Sequence, residues 1–183
     1  MPAPKLRRGD VLLIIDMINT FAFEDGAALA EHANAIGEAV HALRTQCHRQ
    51  KLPVVYVNDN FGQWRQGFEE LLRKVARPGC HGQRLAARLH PTRQDLFVLK
   101  PRHSVFYQTP LPTLLDALKA KRLILTGIAA DSCVLSSATE AHVRGYALWV
   151  PGNAVASLTP QRTSRALAYI RESLGGETAD AGA

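Results

Sequence analysis

Cysteine is scarce in this sequence, and none of its spacings marks a metal site or a disulfide framework. Of the 183 residues only three are cysteine, at positions 47, 80 and 133, and no Cys-x-x-Cys pair occurs. An odd count without paired spacing argues against a structural zinc site and against a set of disulfides. We therefore expect free thiols and, by default, a reducing cytoplasmic environment.

Long hydrophobic runs and recognisable targeting segments are also missing. No window approaches the roughly 18 apolar residues that a membrane-spanning helix needs. The basic segment MPAPKLRRGD is followed by only five apolar residues, VLLII, with no small-residue cleavage site behind them. This pattern favours a core strand over a signal peptide, so we expect no membrane partner.

Basic residues are numerous but not clustered. The net charge is +6, yet no run of four or more Lys or Arg occurs, and aromatic residues are not interleaved with the basic ones. We therefore expect no nucleic-acid partner, although mild positive charge suits small anionic substrates. Neither GxGxxG nor GxxxxGK[ST] is present, so a nucleotide-binding flavodoxin-like module fits poorly.

Short apolar runs alternate with longer helical patterns along the whole chain. The runs lie at 10–16, 52–59, 95–101, 122–127 and 146–152, and the helical patterns at 28–50, 68–76, 109–121, 131–145 and 160–174. Apolar runs without a polar alternation are typical of strands buried on both faces. Their alternation with helices predicts an α/β fold, with a mainly parallel sheet of five or six strands between two helical layers. We expect one domain over 1–183, without a linker, and a C-terminal tail that is frayed or forms a short edge strand.

Chemically useful side chains follow several of the predicted strands. Asp16 follows the first strand, Lys100 ends the third, and Cys133 lies just beyond the fourth at the predicted start of a helix. Since ligands bind at the carboxyl ends of parallel strands, these residues are expected at one edge of the sheet. Each has a simpler interpretation: a loop-capping Asp, a Lys reaching solvent, and a small buried Cys. A helix start would instead lower the pKa of the Cys133 thiol toward neutrality.

Four segments in register carry a family resemblance. LLIIDMINTF, VVYVNDNFGQW, LKPRHSVFY and LILTGIAADSCVLSSA together resemble the isochorismatase-like cysteine hydrolase superfamily, over about residues 9–174. That group includes nicotinamidases, N-carbamoylsarcosine amidases, ureidoacrylate and biuret amidohydrolases, and isochorismatase itself. The resemblance implies a three-layer α/β/α sandwich, usually on six strands.

The resemblance also implies how the site works. It assigns Asp16, Lys100 and Cys133 as a catalytic triad, with a cis peptide at Ile128-Ala129 and an oxyanion hole from the N–H groups of Ala129 and Cys133. Cys133 would attack an amide or ureido carbonyl, while Asp16 takes its proton, protonates the leaving amine and then activates water. A cysteine hydrolase that cleaves C–N bonds through a thioester is the implied function.

Departures from the family pattern restrict the expected cofactors and substrates. Nicotinamidases place an Asp and two or three His after the second strand to hold a metal, whereas here NDNFGQWRQGF contains no histidine. We therefore expect no metal and no cofactor. Enzymes that act on isochorismate replace the cysteine, which this chain keeps. The residues at positions 130 and 18–20 differ from those most common in the family. These differences affect the expected substrate contacts and leave the expected triad unchanged.

Further expectations concern the substrate contacts, the alternative functions and the partners. Five loop residues are predicted to border the pocket: Phe21, Asn60, Trp64, Arg65 and Phe106. His103 is expected to be structural, because the triad leaves it no catalytic task. The alternatives are an isochorismatase-type hydrolase of a small anionic substrate and a catalytically idle binding or scaffold homologue. The resemblance implies a homo-oligomer, a dimer or a tetramer.

Overall fold

The apolar runs form parallel strands at the centre of the molecule, in a computed structural model that describes residues 3–182. Within those residues the strands are β1 (Asp10–Ile15), β2 (Val54–Asp59), β3 (Leu96–Lys100), β4 (Arg122–Ile128), β5 (Ala147–Trp149) and β6 (Val155–Ala156). The order is β3-β2-β1-β4-β5, and β6 pairs with the end of β4. The predicted α/β fold class is confirmed.

The sixth strand does not come from the C-terminal tail. It is the two-residue β6, which pairs with Gly127 and Ile128, whereas the tail contributes only an isolated bridge between Glu177 and Trp149. Both features are too short to produce a hydrophobic pattern of their own, so the sequence could not distinguish them.

Helices cover both faces of the sheet. They are α1 (Gly26–Arg49), α2 (Phe68–Val75), α3 (Gln83–Arg88), α4 (Leu111–Ala117), α5 (Leu135–Val143) and α6 (Pro160–Glu172). Thr159 caps α6, since its side chain accepts a hydrogen bond from the Arg162 N–H. None of the helices in residues 3–182 is both long and apolar enough to cross a membrane.

Alternate residues of each central strand belong to two separate cores. Leu12 and Ile14 pack with α1, α2 and α3 on one face, while Val11, Leu13 and Ile15 pack with α4, α5 and α6 on the other. Because successive side chains of a strand point to opposite faces, a strand covered on both sides must be apolar throughout. This arrangement gives the three layers.

The carboxyl ends of the two central strands approach each other closely at Gly127. This residue has a φ of +108°, and a Cβ added there would lie 2.1 Å from the carbonyl oxygen of Ile15. Only glycine combines that backbone conformation with such a close contact. The approach brings the residues that follow β1 and β4 to the same place.

Candidate active site

The carboxyl edge of the sheet holds a carboxylate, an ammonium group and a thiol in mutual contact. Lys100 Nζ lies 2.9 Å from Asp16 Oδ2 and 3.5 Å from Cys133 Sγ. Lys100 is fully buried and Asp16 is 5% exposed, whereas Cys133 is partly accessible. The three residues come from the ends of β1 and β3 and from the turn after β4, which are far apart in sequence.

Asp16 is held by its own backbone conformation and by its neighbours. Its φ of 55° is left-handed, a region that Asp tolerates better than most residues. Its N–H donates to the carbonyl oxygen of Val57 at 2.9 Å, and its Oδ1 accepts a hydrogen bond from the Asp59 N–H at 2.7 Å. The carboxylate is therefore oriented by two elements of the sheet.

A second carboxylate, outside the predicted triad, also faces the lysine. Asp59 Oδ2 lies 3.6 Å from Lys100 Nζ, and Asp59 is the strand partner of Lys100 in the β2–β3 pairing. Its Oδ1 accepts a hydrogen bond from the Phe61 N–H at 2.6 Å. The signal was present in the sequence, because both residues end adjacent predicted strands.

Cys133 does not begin an α-helix as expected. The peptide bond between Ile128 and Ala129 is cis, and a π-helical turn over Ala130–Val134 separates it from α5. In this turn the carbonyl oxygen of Ala129 accepts hydrogen bonds from the N–H groups of Ser132 and Val134 at 3.0 and 3.1 Å. Single-turn π-helices of this kind occur frequently at functional sites.

The expected lowering of the cysteine pKa is wrong. Burial raises the pKa of Cys133 to about 12, and the charge of Asp16 raises it as well, while Lys100 opposes both. Burial also raises the pKa of Asp16, against the opposing effect of Lys100. For Lys100 itself, burial lowers the pKa, but Asp16, Cys133 and Asp59 together raise it. Both the Cys133 thiol and the Asp16 carboxyl group are thus harder to ionise than their exposed counterparts, while Lys100 favours the ionised form of each.

His103 lies beside the thiol, a position that no sequence pattern predicted. Its Nδ1 is 3.6 Å from Cys133 Sγ and 3.3 Å from Ser132 Oγ, and the residue is exposed. We expected a structural histidine at this position, and the structure places an exposed one in contact with the thiol. Its contact depends on the path of the loop after β3, which no local pattern reveals.

A cleft of about 480 Å³ is lined by Asp59 and His103, which contact Lys100 and Cys133, and it includes two of the five predicted contact residues. Asn60 and Trp64 line it, and Trp64 is 79% exposed, whereas Arg65 is exposed but does not line it. Phe21 and Phe106 are 1% and 3% exposed and belong to the two cores. The volume suits a small molecule.

Metal-ligating side chains are not grouped in the part of the chain that the structure describes. No three His, Cys, Asp or Glu residues among 3–182 could together hold a metal ion. The absence of a metal from the working enzyme stays a prediction.

Comparison with known proteins decides the family. Residues 10–182 match the family model of the isochorismatase domain. The chain belongs to the isochorismatase family. It is 33% identical over 169 residues to an uncharacterized isochorismatase family protein, YaaI, of Bacillus subtilis (strain 168), covering 91% of each chain. The resemblance to this superfamily is thereby confirmed, and the chain is an isochorismatase-family hydrolase.

Solved structures agree with this assignment. The nicotinamidase PncA from Bacillus subtilis has a TM-score of 0.74 and 27% identity, with 94% of this chain and 99% of that chain covered. The N-carbamoylsarcosine amidase from Thermoplasma acidophilum has a TM-score of 0.70 and 25% identity, with 95% and 97% covered. The isochorismatase of Bacillus subtilis (strain 168) is 32% identical over 165 residues, but this chain spans only 52% of its length.

Proposed function

We propose that this family member is a cysteine hydrolase that cleaves the C–N bond of a small amide, ureido or carbamoyl substrate through a thioester on Cys133. The observation that carries the proposal is the position of Lys100 Nζ, which contacts both Asp16 Oδ2 and Cys133 Sγ. A thiol beside a carboxylate base and a fixed ammonium group is a nucleophile with its proton acceptor and its counter-charge in place.

The acylation step follows from the charges. The proton of the Cys133 thiol must leave as the sulfur attacks, and the Asp16 carboxylate is the proposed acceptor. Lys100 keeps the site from accumulating negative charge while sulfur and carboxylate exchange the proton. Asp16 then returns this proton to the nitrogen of the breaking C–N bond, and the amine or ammonia departs.

Backbone N–H groups are proposed to stabilise the oxyanion of the tetrahedral intermediate. Ala129 and Cys133 lie at the two ends of the same short segment, after β4 and within the π-helical turn. Losing one such donor typically costs about 2.7–4 kcal/mol of transition-state stabilisation. Asn60 and Trp64 are proposed as substrate contacts, since they line the cleft beside the triad.

The substrate class rests on the similar proteins as well as on the site. Two of the solved structures with the same fold are a nicotinamidase and an N-carbamoylsarcosine amidase, whose names describe amide and carbamoyl substrates. The thiol nucleophile of this chain suits the same bond type. We also propose that the enzyme needs no metal or cofactor, that it forms a dimer or tetramer and that it acts in the cytoplasm.

An isochorismatase-type reaction on a small anionic substrate is the second candidate. It is favoured by the 32% identity to the isochorismatase of Bacillus subtilis, although this chain covers about half of that protein. The nucleophilic cysteine is not needed for that chemistry. A hydrolysis that survives the loss of the Cys133 thiol would therefore support this alternative.

The test is an ammonia-release screen over small amides, ureas and carbamates, with isochorismate assayed in parallel. We expect at least one C–N substrate to be hydrolysed by the wild type and not by Cys133→Ala. Cys80→Ala is the matched control, because it removes another partly exposed thiol that lies away from the triad. If no substrate is turned over and Cys133 resists alkylation, the chain is an idle homologue.

A further inference from the structure

His103 occupies a position that the triad does not explain. It lines the cleft and approaches Cys133 from the exposed side, with Nδ1 3.6 Å from the sulfur. Lys100 and Asp16 contact each other on the buried side of the same sulfur. The Cys133 thiol thus has one proton acceptor on its buried side, Asp16, and a second on its exposed side, His103.

Asp16 is poorly placed to activate the water of the second half-reaction. Its Oδ1 already accepts the Asp59 N–H, its Oδ2 contacts Lys100, and only 5% of the residue is accessible. Water must reach the thioester carbon from the cleft once the amine has left. His103 is exposed on that side, and imidazole is the side chain most often used as a general base.

We propose that His103 is the general base of thioester hydrolysis, so that Asp16 serves acylation and His103 serves deacylation. This inference rests on the proposed thioester mechanism. His103 Nδ1 takes a proton from water as the water oxygen bonds to the acyl carbon. The C–S bond then breaks, the carboxylic acid is released, and the proton passes from Nδ1 to the departing sulfur, regenerating the Cys133 thiol.

The two contacts of Nδ1 fit this task. The distance of 3.6 Å to Sγ is short enough for the imidazole to return the proton to the thiolate with little movement. The Ser132 hydroxyl, 3.3 Å from the same nitrogen, can donate to an unprotonated Nδ1 and so favour the tautomer that acts as a base. Ser132 is therefore a positioning residue, whereas His103 touches a reacting atom.

The experiment uses p-nitrophenyl acetate as an acyl donor, so it does not depend on knowing the natural substrate. Acylation releases one equivalent of nitrophenolate as a burst, and deacylation sets the later steady rate. For His103→Gln we expect a burst rate within about threefold of the wild type and a steady rate lower by about 10²–10⁴-fold. Intact mass spectrometry should then show an acetylated protein, and added imidazole should restore part of the rate to His103→Ala.

Two control variants separate the possible failures. Cys133→Ala should show no burst, and His90→Gln, at an exposed histidine outside the cleft, should behave as the wild type. Absence of a Cys133-dependent burst in the wild type would overturn the thioester mechanism itself. A normal burst with a steady rate unchanged in His103→Gln, or with both phases slowed equally, would overturn only the role of His103.

Discussion

At the scale of single residues, the proposed mechanism predicts that the raised pKa of Asp16 sets the acid limit of activity. The carboxyl must be ionised to accept the thiol proton, and burial raises its pKa above the ordinary value of 3.8. As the pH falls, Asp16 is therefore protonated earlier than an exposed Asp. We expect the acid limb of the kcat/KM profile to lie above 3.8, and Asp16→Asn to lose about 10²–10⁴-fold in kcat/KM. An acid limb at or below the ordinary value would contradict this assignment.

The neighbours of the thiol should change its reactivity in opposite directions. Asp16 raises the pKa of Cys133 and Lys100 lowers it, so Asp16→Asn should speed alkylation by iodoacetamide and Lys100→Met should slow it. Both variants should nevertheless lose hydrolysis, because each removes a part of the proton transfer. The measurement is the alkylation rate of the Cys133 peptide at several pH values, with the fully buried Cys47 as an internal unreactive control. Equal effects of the two variants would argue against a direct charge interaction.

Site residues at the ends of strands could be predicted from the sequence, whereas those in the loop after β3 could not. Asp16 and Lys100 could be assigned to one edge, because each ends a buried strand and parallel strands end together. The positions of His103 and Phe106 could not be predicted, since both depend on the loop after β3. That loop directs His103 to the thiol and buries Phe106 beneath Arg144. The pKa of Cys133 was misjudged because the thiol is largely buried beside Asp16 and lies in a π-helical turn instead of at the start of an α-helix.

At the scale of elements, the longer strands could be predicted from the sequence, and the shortest elements could not. Unbroken apolar runs identified five strands, because a strand covered on both faces has no polar alternation. The two residues of β6 and the six of α3 carry too few side chains to show a period. The helix expected over 131–145 begins with a π-helical turn and becomes α-helical at Leu135. The turn makes tertiary contacts, such as the hydrogen bond from the Asp131 N–H to Ser157 Oγ, that local sequence patterns do not reveal.

The starts of β1 and β4 are joined by a buried ion pair, which yields a prediction about stability. Arg122 donates from Nε and Nη2 to the two carboxylate oxygens of Asp10 at 2.9 and 2.7 Å. Breaking a buried pair typically costs about 3–5 kcal/mol, and Asp10→Asn leaves Arg122 only the half-exposed Glu177 as a counter-charge, so it should lower the free energy of unfolding by about 3 kcal/mol. Glu172→Gln, which breaks an exposed pair with Arg171, should cost at most about 1 kcal/mol. Urea titrations of the two variants provide the comparison, and similar losses would contradict it.

Across the whole molecule, the sheet separates the residues that stabilise it from those proposed to react. The Arg122–Asp10 pair lies at the amino ends of the strands, roughly 20 Å along β1 from the triad at the carboxyl ends. Arg122 also contacts Glu177 in the C-terminal tail, at 3.4 Å. Substitutions at the amino ends of the strands should therefore change stability, whereas substitutions at the carboxyl ends should change activity.

The C-terminal tail offers the sharpest test of that separation. Glu177 exchanges backbone hydrogen bonds with Leu148 and Val150, and the carbonyl oxygen of Ala179 accepts one from the indole N–H of Trp149 at 2.8 Å. Ending the chain at Gly176 removes these bonds and leaves the indole unpaired, so we expect the free energy of unfolding to fall by about 3–5 kcal/mol at roughly 1 kcal/mol or more per bond. Below the melting temperature, the alkylation rate of Cys133 and kcat/KM should stay within about twofold of the full chain, because the hydrogen bonds and ion pairs of residues 177–182 do not involve the triad. A parallel loss of activity and stability at a temperature where the shortened protein is folded would show that the two ends of the sheet are coupled.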